Sequence, residues 1–357
     1  MKFILKNMVL SLCFILLTLI YSSNSKTIKT CESPSGKSVD WYVIFLFPET
    51  ATKEKTLAYG YFDNSMTEMT YHNYDDKTFP GIKVVHDFED GKTNYFFWND
   101  DQSTDTDSKS ASSGKAHSKG GLIFDKNNGI IFSHSLPRFP RRKEDDSILP
   151  SLPTNGGVYG QHFICISTDT PNTLKVIESL NIINPPLMIF SEKDLVNNPP
   201  NPLVDKLIKN RQDSKLPDSK ITEIFSSAGQ KFQIFSKGRN NVNLPYDEEI
   251  PNFYNDGLYV ETWTKPEMLP SICEGTKKVI NVSTLKFGNY VYDKNQEHSK
   301  WGVGIKKDIC CFGDLNRTES QKKRGGNIIC FENKNLSKIM RSAITEKDSC
   351  YLKFLSE

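Results

Sequence analysis

The tripeptide His-Ser-Lys occurs twice, at 117–119 and again at 298–300, 181 residues later, and each copy opens onto a similar stretch of chain. After the first, Gly120 to Phe124 leads through Asp125-Lys126-Asn127-Asn128-Gly129 into a second apolar run that closes with Ser133-His134-Ser135. After the second, Trp301 to Ile305 leads through Lys306-Lys307-Asp308 into a run that closes with Gly313-Asp314-Leu315-Asn316. An apolar segment, a polar turn and another apolar segment make a strand–turn–strand unit. Two such units about one domain length apart point to a duplicated half. A chain built this way is expected to bring its two corners together about a pseudo-twofold axis, with two imidazoles and two ammonium groups in one place.

The rest of the chain fits that plan. At 357 residues it suits two similar halves or one large fused sheet, and 37% hydrophobic residues suffice for a real core. Val39 to Phe47, Leu57 to Phe62, Asn94 to Trp98, Gln161 to Ser167, Lys231 to Phe235, Leu258 to Trp263 and Lys278 to Ser283 read as strands. Thr173 to Leu180, Leu203 to Ile208, Ile221 to Phe225 and Asn335 to Ile344 read as helices. Uneven alternation of the two favours an α/β fold. The Ser/Thr/Asp/Gly-rich tract from Asp101 to Ala116 reads as a loop, and a boundary near 170 divides the halves into 26–170 and 171–357.

The first residues address the chain to the secretory pathway. Lys2 and Lys6 precede the apolar run Met8 to Tyr21, and Ser22, Ser23 and Ser25 come directly after it. This is the pattern of a signal peptide, residues 1–25. The apolar run is short of the ~20 residues that span a bilayer, so no membrane anchor is expected. Past that segment seven cysteines remain, an odd number for a compartment where disulfides are the rule. Asn281-Val282-Ser283 and Asn335-Leu336-Ser337 are glycan acceptor sequences expected on surface loops. A net charge of only +2 leaves any attraction for phosphate to local patches.

The paired corners suggest a definite chemistry. One histidine can attack phosphorus while a second protonates the departing oxygen. A lysine two residues beyond each histidine lies on the same side of an extended strand. Two ammonium groups there supply the positive charge that a metal often provides. The expected reaction is phosphodiester cleavage through a phosphohistidine, with no cofactor. His117, Lys119, His298 and Lys300 carry it, while His134, Asp314 and Asn316 stand close by in sequence to orient a ring or hold a phosphate oxygen. His72, His86 and His162 have no matching context and read as structural.

These same residues carry a family resemblance. "EHSKWGV", "CFGDLNR" and "RGGNIIC" resemble the C-terminal signature of deoxyribonuclease II, and "AHSKGGLIFDKNNGIIFSHSLPRFP" resembles its N-terminal catalytic segment. "CESPSGKSVDWYVIFLFP" and "GGVYGQHFICIS" are similar to its mature start and its midpoint. The resemblance implies a phospholipase D-like fold, two α/β halves with mixed sheets sharing one active site. It implies metal-independent endonucleolytic cleavage of DNA at acidic pH, in the lysosome or outside the cell, leaving 3′-phosphates. It also implies disulfides Cys31–Cys165, Cys273–Cys350 and Cys311–Cys330, with Cys310 free. Asn316-Arg317-Thr318 is itself an acceptor sequence, expected to be unused because folding buries it.

Arg138, Arg141-Arg142-Lys143 and Lys322-Lys323-Arg324 are basic runs near the two units, placed to track a DNA backbone with little sequence preference. Two other readings of the same chain are a phospholipase D-type lipid phosphodiesterase and a secreted DNA-binding or host-interaction protein without turnover. The sequence leaves a homodimer open.

Overall fold

The computed structural model describes residues 30–52, 56–86, 93–101, 114–142, 148–149, 151–153, 156–191, 202–209, 216–265 and 267–350. The signal segment, most of the 101–116 tract and Lys143 lie outside them. Nearly all strand residues belong to two large sheets. The first holds β1 (Trp41–Phe47), β2 (Ala58–Asp63), β3 (Thr70–Asn73), β4 (Asn94–Asn99), β5 (Lys119–Phe124), β6 (Asn128–His134), β7 (Gln161–Asp169) and β8 (Leu187–Phe190). Its order is β8-β4-β5-β6-β7-β1-β2-β3, antiparallel throughout.

The second sheet holds β9 (Ser219–Phe225), β10 (Lys231–Lys237), β11 (Leu258–Glu261), β12 (Val279–Phe287), β13 (Tyr290–Asp293), β14 (Trp301–Gly304), β15 (Ile309–Gly313), β16 (Gly326–Glu332) and β17 (Ile344–Lys347). Its order is β9-β10-β16-β15-β14-β11-β12-β13, with β17 on β12, and β11–β12 is its parallel pair. The run β4-β5-β6-β7-β1 in one sheet is matched by β11-β14-β15-β16-β10 in the other. The two HSK units occupy equivalent places, β5–β6 and β14–β15, at the centre of each sheet. Helix α2 (Thr170–Ile183) comes after β7 as α5 (Lys334–Ala343) comes after β16, and both helices contribute to one shared core. The remaining helices are short: α1 (Pro80–His86), α3 (Pro202–Ile208) and α4 (Glu249–Tyr254).

Central strands are buried on both faces, which is why β1 and β7 read as unbroken apolar runs rather than alternating ones. Alternate residues of β1 serve two cores. Trp41, Val43, Phe45 and Phe47 join the middle layer with residues of the second sheet, and Tyr42, Ile44 and Leu46 pack outward under α1. Across the middle layer Phe45 stacks on Phe287 at 4.8 Å and meets Phe312 at 5.7 Å and the edge of Trp301 at 6.4 Å. A third cluster, around Tyr246, Val260 and Cys311, backs the second sheet. The two glycines after the first HSK are steric requirements: a Cβ on Gly121 would run into Phe132 and Phe97, and one on Gly120 into the Phe132 carbonyl.

Disulfides join Cys31 to Cys165, Cys273 to Cys350 and Cys311 to Cys330, and Cys310 is a buried free thiol. No helix among the described residues is long and apolar enough to cross a membrane.

Two expectations are corrected. Ile221 to Phe225 is not a helix but part of β9, where Thr222 and Ile224 are buried and Ile221 and Glu223 exposed, a period of two. Asn281 is not on a surface loop. It is 6% exposed within β12, its Nδ2 donates to the Leu269 carbonyl and to Asp348, and its Oδ1 accepts from Arg317. That fully engaged side chain has no room for a glycan. Asn335 is not on a loop either: it is half-buried in the first turn of α5, with its Nδ2 donating to the Met66 carbonyl at 3.4 Å.

Because one aromatic layer joins both sheets, Phe45→Ala is expected to cost about 3–5 kcal/mol. A denaturant titration monitored by tryptophan emission should show both sheets melting in one transition, shifted to lower denaturant. Two separated transitions would mean the sheets do not fold as a unit.

Candidate active site

Each histidine of the duplicated motif is anchored by the opposite half. The His117 backbone N–H donates to the Gly325 carbonyl at 2.9 Å, and the His298 N–H donates to the Gly160 carbonyl at 2.9 Å. Gly325 immediately precedes β16 and Gly160 immediately precedes β7, so the two contacts are counterparts in the repeated topology. Both acceptor positions leave little room for a side chain. A Cβ on Gly160 would stand 2.6 Å from the Glu297 carboxylate, and one on Gly325 would strike the Ile183 backbone.

The ring of His117 continues the crossing. Its Nδ1–H donates to the Asp314 carbonyl at 2.6 Å, which leaves Nε2 with a free lone pair 3.9 Å from Asp100 Oδ2. The Asp314 carboxylate reaches back, accepting the Lys119 N–H at 3.3 Å and the Asn327 N–H at 2.8 Å. On the other side, His298 Nδ1 lies 3.4 Å from Gln161 Oε1 and 3.5 Å from Lys300 Nζ. The Lys300 N–H donates to His162 Nδ1 at 3.2 Å, so neutral His162 carries its proton on Nε2. Behind this, Ser135 Oγ donates to Gln161 Oε1 at 2.6 Å and accepts the His162 N–H.

The electrostatics are those of a desolvated, cation-rich pocket. His117 and His298 are both held well below the ordinary imidazole pKa, chiefly by burial, with the lysine charges adding to it. Each feels the lysine of the other motif as well as its own, so the four groups act on one another. Burial alone would raise the Asp100 carboxyl, but the Lys119, His117 and Arg324 charges outweigh it and hold it well below the usual carboxylate range. Asp100 is the hub of an ion cluster: it pairs with Lys119 Nζ and, at 3.0 Å, with the Arg324 guanidinium. Lys300 has no carboxylate in contact among the described residues, and its ammonium donates to the His298 carbonyl. Burial and the neighbouring Lys119 charge bring its pKa down to about 7. Burial raises the Asp314 carboxyl to about 6, offset in part by the N–H groups it accepts.

Of the residues singled out from sequence, His117, Lys119, His298, Lys300 and Asp314 come together here. His134 does not join them directly. It is buried on the strand next to Lys119, stacked on Phe163 at 5.6 Å and met edge-on by Phe139 at 5.1 Å. Asn316 is buried, and so is Thr318 of its acceptor sequence. Its Oδ1 has no partner among the described residues. Arg324 is not a free surface cation: its Nε and guanidinium also donate to the Lys115 and Ala116 carbonyls. Arg138 pairs with Asp101 at 3.6 Å, and Lys322 with Glu319 at 2.7 Å.

Four contributors were not evident from sequence. Asp100 sits one residue past β4, beside the loop tract, with nothing local to separate it from other acidic turn residues. Arg324 belongs to a basic run, which usually signals a solvated face. Gln161 and His162 open β7, and only the pairing of β7 with β6 and the approach of the second motif give them a role.

A model of the family described as Deoxyribonuclease II matches residues 30–350. The chain is 27% identical over 359 residues to cell-death-related nuclease 7 of Caenorhabditis elegans, covering 95% of this chain and 93% of that protein. It is 27% identical to deoxyribonuclease-2-alpha of Bos taurus, over 84% of this chain and 85% of the other. It is equally 27% identical to deoxyribonuclease-2-beta of Homo sapiens, over 90% and 91%.

The raised Asp314 pKa has a consequence for stability. An acid whose folded pKa of about 6 lies above its unfolded value of about 4 favours the folded state most below pH 4, and that contribution is lost as the pH rises through 6. The loss is on the order of 2–3 kcal/mol. Urea midpoints measured at pH 4.5 and 7.5 should therefore differ less in Asp314→Asn than in the wild type. An unchanged difference would show that this carboxyl is not the group responsible.

Proposed function

Since the chain belongs to the deoxyribonuclease II family and is a nuclease of that type, we propose that it cuts DNA by metal-independent transfer of the scissile phosphate to histidine, giving 3′-phosphate ends. The observation that carries this reading is the reciprocal anchoring of two histidine–lysine pairs, one from each sheet, in a single desolvated cluster. A symmetric pair of imidazoles flanked by ammonium groups suits a reaction in which one ring attacks and the other protonates.

His117 is the nucleophile in this scheme, because its Nδ1–H is committed to the Asp314 carbonyl and Nε2 is left as a lone pair. Nε2 attacks phosphorus, the bond to the 5′ oxygen breaks, and His298 gives that oxygen its proton. The 3′-linked strand remains on His117 as a phosphohistidine. Neutral His298 then takes a proton from water, whose oxygen attacks phosphorus and breaks the P–N bond. A 3′-phosphate leaves and His298 is again protonated. Lys119 and Lys300 balance charge on the non-bridging oxygens. Asp100 and Arg324 hold Lys119 in place, Asp314 aligns His117, and Asn316 and His134 support the same wall.

The architecture that serves this chemistry is phospholipase D-like: halves 26–170 and 171–357, the second lending β8 to the first sheet. The matched strand order of the two sheets supports that division. The enzyme works in the lysosome or outside the cell once residues 1–25 are removed, in keeping with its three disulfides. DNA is held by its backbone, with Arg138, Arg141, Arg142, Lys322 and Lys323 as the candidate contacts. Asn335 is the candidate glycan acceptor.

Acid dependence stems from the shifted groups. His298 must be protonated, and burial with the Lys300 and Lys119 charges lowers its pKa, so the competent fraction grows as the pH falls. Lys300, titrating near 7, carries its full charge only on the acid side. Protonation of His117 removes the attacking lone pair, so activity falls again on the acid side. Plasmid nicking in the presence of chelator should thus give a bell-shaped profile peaking below neutrality. His298→Ala is expected to lower the rate by roughly 10²–10⁴. His117→Ala should in addition abolish the phosphohistidine, detected by acid quench and peptide mapping. Loss of activity on chelation, or a flat or alkaline-peaked profile, would refute the scheme.

A further inference from the structure

We propose that Trp263, together with Tyr159, forms a stacking wall beside His298 that receives the nucleobase next to the scissile phosphate. The proposal rests on the nuclease reading and adds a specificity-determining residue to it.

The wall is built from both halves. Trp263 lies two residues beyond β11, and Tyr159 directly precedes Gly160, whose carbonyl holds the His298 backbone. The Trp263 ring meets the His298 ring at 5.0 Å and the Tyr159 ring at 4.8 Å, both edge-to-face, while Tyr159 stands 6.2 Å from His298. Thr262 fixes the approach from below, its hydroxyl oxygen accepting the buried Arg317 N–H at 3.1 Å. Neither aromatic residue is core: both are only partly buried.

A large aromatic pair left open to solvent beside a reacting group suits a flat ligand surface. Every base offers a π face, so stacking binds nucleotides without demanding a sequence. The exposed Lys265 ammonium lies over the Trp263 ring, 5.5 Å from its centroid. A base can take that place, and the displaced cation is then free to meet the adjoining phosphate. A phosphate between His117 and His298 brings its neighbouring base within reach of this wall, provided the base leaves the helical stack.

The protein carries its own reporter. Of its four tryptophans, Trp41, Trp98 and Trp301 are no more than 3% exposed, which leaves Trp263 as the accessible one. Titration of the intact mature protein with a non-hydrolysable phosphorothioate oligonucleotide should quench emission, and the same backbone carrying abasic sugars should not. Trp263→Ala should raise KM for a single-stranded oligonucleotide roughly tenfold or more while leaving kcat and the pH profile near wild type. Trp263→Phe should restore most of the loss. An equal quench by the abasic strand, or an unchanged KM in Trp263→Ala, overturns the proposal. So does a fall in kcat with KM fixed, which would mean that the ring only orients His298. Base-dependent quenching without cleavage of DNA would instead defeat the nuclease scheme and leave the stacking wall standing.

Discussion

Two backbone hydrogen bonds decide where everything else in the site can be. The N–H of each motif histidine ends on a glycine carbonyl of the other half, at 2.9 Å in both cases. A backbone hydrogen bond contributes only about 1 kcal/mol net, yet leaving a buried donor unpaired costs about 1–3 kcal/mol. The penalty falls on any misdocked arrangement that keeps these donors buried but unpaired, and it acts directly at the imidazoles. The aromatic layer around Phe45 then holds the sheets at the spacing these bonds require.

The duplication is faithful in backbone and broken in charge. Lys119 faces a carboxylate, Asp100, whereas Lys300 faces a carbonyl and a ring. One ammonium is therefore held against a counter-charge while the other titrates near 7. The rings differ in the same way. His117 is locked into one tautomer by a short bond to a carbonyl, and His298 sits more loosely among Gln161, Lys300 and Tyr159. Two corners of matching topology thereby hold their histidines in different settings.

Much of this was legible in the sequence because it was written locally. The HSK repeats, the hairpins after them and the apolar runs of β1 and β7 are short-range patterns, and the structure has them where they were read. The errors have a physical pattern too. Ile221 to Phe225 is too short for its periodicity to overrule a helical reading, and its pairing with β10 decides the matter. Asn281 satisfies an acceptor motif, but Arg317, 36 residues away, claims its oxygen. Asp100 and Arg324 are 224 residues apart and gain meaning only when they meet. His162 resembled an ordinary core histidine until the second motif was laid against it. Local pattern announces strands and motifs, while ion clusters arise from tertiary contact and leave no local mark.

The crossed anchoring also bears on how the protein is made. The carbonyl that seats His117 belongs to Gly325, far downstream and close to the last strands of the second sheet. During synthesis the first corner is finished early, but its seat is added only near the end of the second sheet. A chain ending before Gly325 lacks the carbonyl that seats His117, so the first corner cannot be set by its own half alone.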